Sequence, residues 1–163
     1  KDTSSYDEVV YEGYAPHGIA VLVETATDNH TRTVANVRSY FNKYGVSLGV
    51  TGSVSFMFEH KCNFRFKKPT DLDPEMLELE LIDCGCEELS VEGDEVIVYG
   101  AFDAFGKLQS YFEQHNFEII ESGFDRIPTT TKKLSPEQEE EVNKLLDKIE
   151  EDEDVQNVYS TME

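Results

Sequence analysis

No run in these 163 residues approaches the ~20 apolar positions that a membrane-crossing helix requires. That excludes a helical transmembrane protein. A basic stretch followed by an apolar one is also missing at the start, so nothing marks the chain for secretion. The first residue is Lys1 rather than Met, and the expectation is that a natural start has been lost ahead of it. Cysteine is scarce: Cys62, Cys84 and Cys86 form an odd set without framework spacing, which suits a reducing compartment. The Cys84-x-Cys86 pair lacks the second ligand pair of a structural zinc site, leaving small buried or half-buried thiols as the reading.

Catalytic signatures are absent as well. His17, His30, His60 and His115 stand at no metal-ligand spacing, and no G-x-S-x-G elbow occurs. The stretch from Gly49 to Ser53 has the glycines of a phosphate loop but not its Lys-Ser/Thr. No catalytic residue, metal, cofactor or small-molecule substrate is therefore expected; the sequence points to a binding protein.

Positive charge is the next scarcity. Fourteen Lys and Arg face thirty-four Asp and Glu, for a net charge of −20, which by itself opposes binding to nucleic acid. The distribution is uneven, however. From His30 to Lys68 there are seven cations (Arg32, Arg38, Lys43, Lys61, Arg65, Lys67 and Lys68) and a single acid, Glu59. One basic region lies inside an acidic protein.

The pattern of apolar residues gives the organisation. Tyr6 to Tyr14 and Ile19 to Thr25 read as strands joined by the turn residues Ala15-Pro16-His17-Gly18. A helix is predicted from about Thr31 to Tyr44, with Val34, Val37, Phe41 and Tyr44 as its buried stripe, Asn29 or Thr31 as its cap and Gly45 at its end. After a Gly-rich bend, Val54 to Phe58 and Phe64 to Lys67 read as strands; alternation puts the phenylalanines on one face and Arg65 and Lys67 on the other. Phe56, Phe58, Phe64 and Phe66 thereby read as core residues, with base stacking as their other possible use. A helix (Pro74 to Ile82), a hairpin around Gly93-Asp94, a helix (Ala104 to His115) and a strand (Phe117 to Glu121) follow. Asp125 to Lys132 is predicted as a strand, Pro136 to Glu150 as a helix with a Ser135/Gln138 capping box, and Val155 to Ser160 as a strand.

The opening β-β-α and the closing β-α-β are each too small to bury a face alone, so they are expected to share one sheet. The fold class is α+β with two small domains: residues 1–50 plus 124–163 form a discontinuous first domain. Residues 51–123 form a ferredoxin-like α+β domain inserted into it, with one strand beyond the usual unit.

Several motifs then carry a resemblance: Tyr11-Glu-Gly-Tyr14, Pro16-x-Gly18, Thr27-Asp-Asn29, Arg32-Thr33, Val37-Arg38, Leu48-Gly49, Gly52-Ser-Val54 with Met57-Phe58, and the stretch Glu153 to Tyr159. In order and across the chain, they resemble the YebC family of bacterial probable transcriptional regulatory proteins, which includes a mitochondrial translational activator of cytochrome oxidase. The resemblance implies two α+β domains, one inserted in the other, preceded in the family by a Lys/Arg-rich helical module that this chain lacks. It also implies a cytoplasmic protein, or one of the mitochondrial matrix in a eukaryote. Where the family usually has Pro-Gly-Gly, this chain has Pro16-His17-Gly18.

The nucleic-acid contact is expected along one face of the first helix, from Arg32, Asn36, Ser39 and Lys43, joined by Arg38 and by Lys61, Arg65, Lys67 and Lys68 of the following hairpin. The plain alternative is that these cations offset the acidic remainder in surface ion pairs. Gly49, Gly52 and Ser53 are expected to be an interdomain hinge. The partner is duplex DNA for a transcriptional regulator or ribosomal RNA, and hence the ribosome, for a translation factor. A third possibility is a protein-interaction module in which the acidic helix from Glu137 to Glu151 docks on a basic partner.

Overall fold

A computed structural model of the chain describes residues 5–163. It divides into two compact units: residues up to Glu59 together with Pro128–Glu163, and His60–Ile127. Among the described residues no helix is long and apolar enough to cross a membrane.

The first unit is built on a three-stranded sheet. β1 (Asp7–Tyr14) pairs antiparallel with β2 (Ala20–Thr27), and β2 pairs antiparallel with β7 (Val155–Ser160). Helices α1 (His30–Lys43) and α4 (Pro136–Glu150) cover one face of it. There Val21 and Val23 meet Val37 and Phe41 of α1 and Val142, Leu145 and Ile149 of α4. α4 begins as its sequence announces: Ser135 accepts from the Gln138 N–H while the Gln138 side chain accepts from the Ser135 N–H.

β2 is buried on both faces, which explains why Ala20-Val-Leu-Val23 is apolar without alternation. The second covering is the segment after α1. Val54 and Phe58 pack on Ala20 and Leu22, joined by Val10, Met57 and Tyr159. Residues 51–59 therefore belong to the first unit, although the sequence assigned them to the second. Val54 to Phe58 is also not a strand; a 3₁₀ turn occupies Ser55–Met57.

In the second unit the strands are β3 (Phe58–Lys67), β4 (Cys86–Glu92), β5 (Glu95–Ala101) and β6 (Ile119–Pro128), and the helices are α2 (Pro74–Ile82) and α3 (Phe105–Gln114). The strand order is β4-β5-β3-β6 in a β-α-β-β-α-β chain, the ferredoxin-like arrangement. The extra strand expected from the sequence disappears, because Phe64 to Lys67 is the second half of β3. The strands expected at Phe117 to Glu121 and Asp125 to Lys132 are one strand, β6, which begins at Ile119 and ends at Pro128.

Cys62, Phe64 and Phe66 alternate into the core against Leu77, Leu81, Leu108 and Phe112, so none of these rings is available to stack a base. Phe58 is buried too, and only Phe56 of that aromatic set is exposed. The thiols are quiet: burial raises Cys62 and pushes Cys86 up to about 11, and both remain free. Both are register partners of Gly100 from opposite sides, two strand spacings apart, which is beyond disulfide reach.

Gly100 has no room for a side chain. A Cβ there would lie 2.7 Å from Leu108 Cδ1 and 2.8 Å from the Gly85 carbonyl oxygen. Gly100→Ala is expected to destabilise the protein by about 1–3 kcal/mol in urea unfolding through overpacking, whereas Gly123→Ala, which meets nothing within 4 Å, leaves the midpoint nearly unchanged.

Candidate nucleic-acid interface

α1 starts where Asn29 accepts the Arg32 N–H at 3.0 Å. Its buried line is Thr33, Val37 and Phe41, with Tyr40 and Tyr44 partly covered; Val34 is only half-buried. The helix is rotated from the expected stripe because Thr33 is drawn inward. Its hydroxyl lies 2.7 Å from Thr27 Oγ1 and 2.8 Å from Asp154 Oδ2, closing a buried polar network.

Asp154 dominates the first turn of α1. Its side chain is 5% exposed, and Arg32 forks onto it, with Nη2 at 2.9 Å from Oδ1 and Nε at 3.2 Å from Oδ2. Arg32 Nη2 also reaches Asp28 at 3.1 Å. Nearby, Tyr40 donates to Asp152 at 2.6 Å, and burial followed by that carboxylate pushes the phenol up to about 12. Arg32 and Asn36 open onto a cavity of about 530 Å³ shared with Asp28, Asp152, Glu153 and Asp154. Four carboxylates against one already paired guanidinium make that cavity repel a phosphate. The Ser39 hydroxyl is spent as well, donating to the Asn36 carbonyl at 2.6 Å.

The expected stripe thus splits. Arg32 is a structural clamp, Asn36 faces acid, Ser39 bonds its own helix, and Lys43 is left exposed, with its ammonium 5.7 Å from the Tyr44 ring centroid. Arg38 is exposed but points to the opposite flank of the helix from Lys43.

On β3, alternation places Arg65 and Lys67 on the face away from the core, as their spacing predicts, and the longer strand puts Lys61 on that face too. Lys61 is 3.5 Å from Glu87, and Arg65 is 3.6 Å from Glu95 and 3.9 Å from Glu121. Lys67 is exposed; Lys68 is half-buried, its N–H donating to the Asp94 carbonyl. Arg38, Lys43, Lys67 and Lys68 are the members of the basic segment that have no carboxylate partner among the described residues. These α1 and β3 cations sit in different units.

The Gly49–Ser53 bend lies inside the first unit and is strapped down rather than hinged. Glu12, 3% exposed, accepts the N–H groups of Gly52 at 2.7 Å, Val54 at 3.0 Å and Ser55 at 2.6 Å. Its own carbonyl accepts the Gly49 N–H at 2.7 Å. A Cβ at Gly49 would lie 2.8 Å from Ser53 Oγ and 3.2 Å from the Glu12 carbonyl oxygen, so a larger residue there requires Ser53 to turn away. Nothing in the local sequence announced this clamp except an acid on the strand face that otherwise carries Val10. The departure at His17 is resolved in a related way. His17 adopts φ 68°, left-handed backbone that favours glycine, and is held by Glu141 at 2.6 Å and by Lys132, which donates to its carbonyl at 2.7 Å. Among the described residues no group of three or more His, Cys, Asp or Glu side chains converges as a metal site.

Comparison with known proteins places these features in company. Residues 6–162 match the family model described as the TACO1/YebC second and third domain. The chain is 56% identical over 163 residues to a probable transcriptional regulatory protein of Flavobacterium psychrophilum, a match covering 100% of this chain and 69% of that protein. A probable transcriptional regulatory protein of Porphyromonas gingivalis is likewise 56% identical, over 162 residues, covering 99% and 67%. The crystal structure of a conserved hypothetical protein from Aquifex aeolicus superposes with a TM-score of 0.74 at 33% identity; the match covers 98% of this chain and 65% of that one.

The Glu12 clamp generates a pH dependence. Burial pulls the carboxyl up, but its hydrogen bonds from Gly52, Val54 and Ser55 outweigh that and hold it below the ordinary glutamate value. A depressed folded value contributes stability that is present above the unfolded value of about 4.3 and lost as pH falls through the folded one. Glu12→Gln is therefore expected to be less stable than the parent at pH 6, with the gap narrowing as the pH drops below about 4. Urea midpoints measured across that range check it.

Proposed function

Because the chain belongs to the TACO1/YebC family, we propose that it is a regulator of gene expression with no chemistry of its own, acting through contact with nucleic acid. Duplex DNA is the target this reading assigns, in keeping with the relatives' names as probable transcriptional regulatory proteins. The compartment is the cytoplasm of a bacterium.

The observation that carries the contact is that Arg38, Lys43, Lys67 and Lys68 of the basic segment make no ion pair with a carboxylate among the described residues, in a chain that is otherwise acidic. Such residues meet phosphate oxygens, supply sequence-independent affinity and release counterions. Four contacts at most give modest, salt-sensitive binding. The sequence carries no helix-turn-helix or other groove-reading signature, so this reading assigns sequence preference to DNA shape or to parts of the longer relatives that lie outside this chain.

A second reading, a translation factor on ribosomal RNA, has one feature in its favour. Segregated basic and strongly acidic stretches suit a surface that presents phosphates and basic proteins side by side, whereas a DNA rod presents phosphates alone.

Salt titration of duplex binding separates a contact from a clamp. Arg38→Ala with Lys43→Ala is expected to weaken binding and lower the slope of log K against log salt by about 1.8, at roughly 0.9 for each phosphate released. Arg32→Ala is expected to leave that slope unchanged while lowering the melting temperature. An unaltered slope in the double variant removes the proposed contact. Tighter binding of single-stranded ribosomal RNA fragments than of duplex DNA at equal salt selects the second reading.

A further inference from the structure

Between Pro69 and Gly106 the chain carries twelve acidic residues and not one Lys, Arg or His. α2 lies within this stretch, and its apolar residues occupy two sides. Leu77 and Leu81 are buried in the second unit's core, while Met76, Leu79 and Ile82 are 57%, 65% and 55% exposed. Spaced i, i+3, i+6, these three form a ridge along the outside of the helix. Every strongly exposed large apolar residue on an α-helix of the described chain belongs to this ridge.

Glu75, Glu78 and Asp83 flank the ridge in sequence. At its N-terminal end it runs into a groove of about 410 Å³, where Leu72, Met76, Tyr111 and Phe117 make the floor and Asp71 and Glu80 stand at the rim. Glu80 accepts a hydrogen bond from the Tyr111 hydroxyl. α4 is the contrasting case. It is equally acidic outside, but all of its strongly apolar side faces the first unit's core, so it offers a partner charge and no ridge.

We propose that the outer face of α2 docks an amphipathic helix of a partner protein whose apolar ridge is bordered by Lys and Arg. The spacing of Met76, Leu79 and Ile82 is that of helix-to-helix recognition, and three large apolar side chains in a row are otherwise a liability on a surface this rich in carboxylates. The acids decide the sign of the partner. Nucleic acid and anionic lipid are repelled, and a second copy of this chain would bring the same carboxylates to the same place. A cationic helix satisfies both the ridge and the rim. This proposal is independent of the nucleic-acid contact, which uses other residues.

The test is a nuclear magnetic resonance titration of the 163-residue chain with an amidated synthetic helix of Leu and Lys, its leucines spaced i, i+3, i+4, i+7. The matching Leu/Glu peptide serves as control. Amide shifts are expected to concentrate on residues 69–83, with no binding of the Leu/Glu peptide. Combining Met76→Gln, Leu79→Gln and Ile82→Gln, all exposed positions that keep the fold, should weaken binding on the order of tenfold. Glu137→Gln with Glu140→Gln on α4 should change it by less than about twofold. Absence of binding, shifts centred on α4, or equal affinity in the triple variant overturns the proposal. Self-association of the parent that the triple variant abolishes also overturns it, assigning the ridge to a second copy.

Discussion

A single buried carboxylate sets the layout of the first unit. Glu12 lies on β1, and an acid stripped of water there costs several kcal/mol unless donors surround it. The donors are the N–H groups of Gly52, Val54 and Ser55, which lie before and at the start of the 3₁₀ turn and outside any strand. In meeting them, Glu12 lays the chain leaving α1 across the back of β1 and β2. Val54 and Phe58 then seal that face, and β2 becomes a strand buried on both sides. The geometry is that of an anion site made from successive backbone amides, filled by the protein's own side chain.

Electrostatics then divides the basic segment by role. Asp154 arrives with the C-terminal strand, 122 residues from Arg32, and claims it together with Thr33, so the start of α1 is locked to the far end of the chain. What local sequence presents as four polar residues on one exposed face is, in three dimensions, an acidic cavity at one end and a free lysine at the other. The cations on β3 divide in a similar way: Lys61 and Arg65 lie within 4 Å of carboxylates, whereas Lys67 makes no ion pair among the described residues although Glu95 is its register partner on β5. The acidic surface is therefore not a passive background. It removes some cations from service, and on α2 it gives an apolar ridge a preferred sign of partner.

Much of this was legible from residue patterns. The capping box at Ser135, the hairpin at Gly93-Asp94 and the alternation that buries Phe64 and Phe66 are local signals, and local physics realises them. The misreadings come from partners distant in the chain. Val54 to Phe58 has strand composition, yet its amides answer to Glu12 and its side chains to Leu22, so it covers a sheet instead of joining one. Val34 looked like a core residue because nothing local shows that Thr33 would be drawn inward by Asp154. One signal was within reach: Arg32-Thr33 and Glu153-Asp-Val155 both lie in the motifs that carried the family resemblance. Paired motifs of opposite charge at the two ends of a discontinuous unit are candidates for each other.

Contact between this chain and nucleic acid is open to ultraviolet crosslinking in cells. The intact protein would be recovered with its bound nucleic acid, and DNA and RNA sequenced in parallel. Crosslinks are expected to be lost when Arg38 and Lys43 are replaced and retained when Ile82 is. The DNA reading requires focused peaks near promoters; dominant ribosomal RNA moves the same contact to the ribosome. Recovery of protein crosslinks alone, indifferent to Arg38 and Lys43, would mean that the chain does not act through nucleic acid.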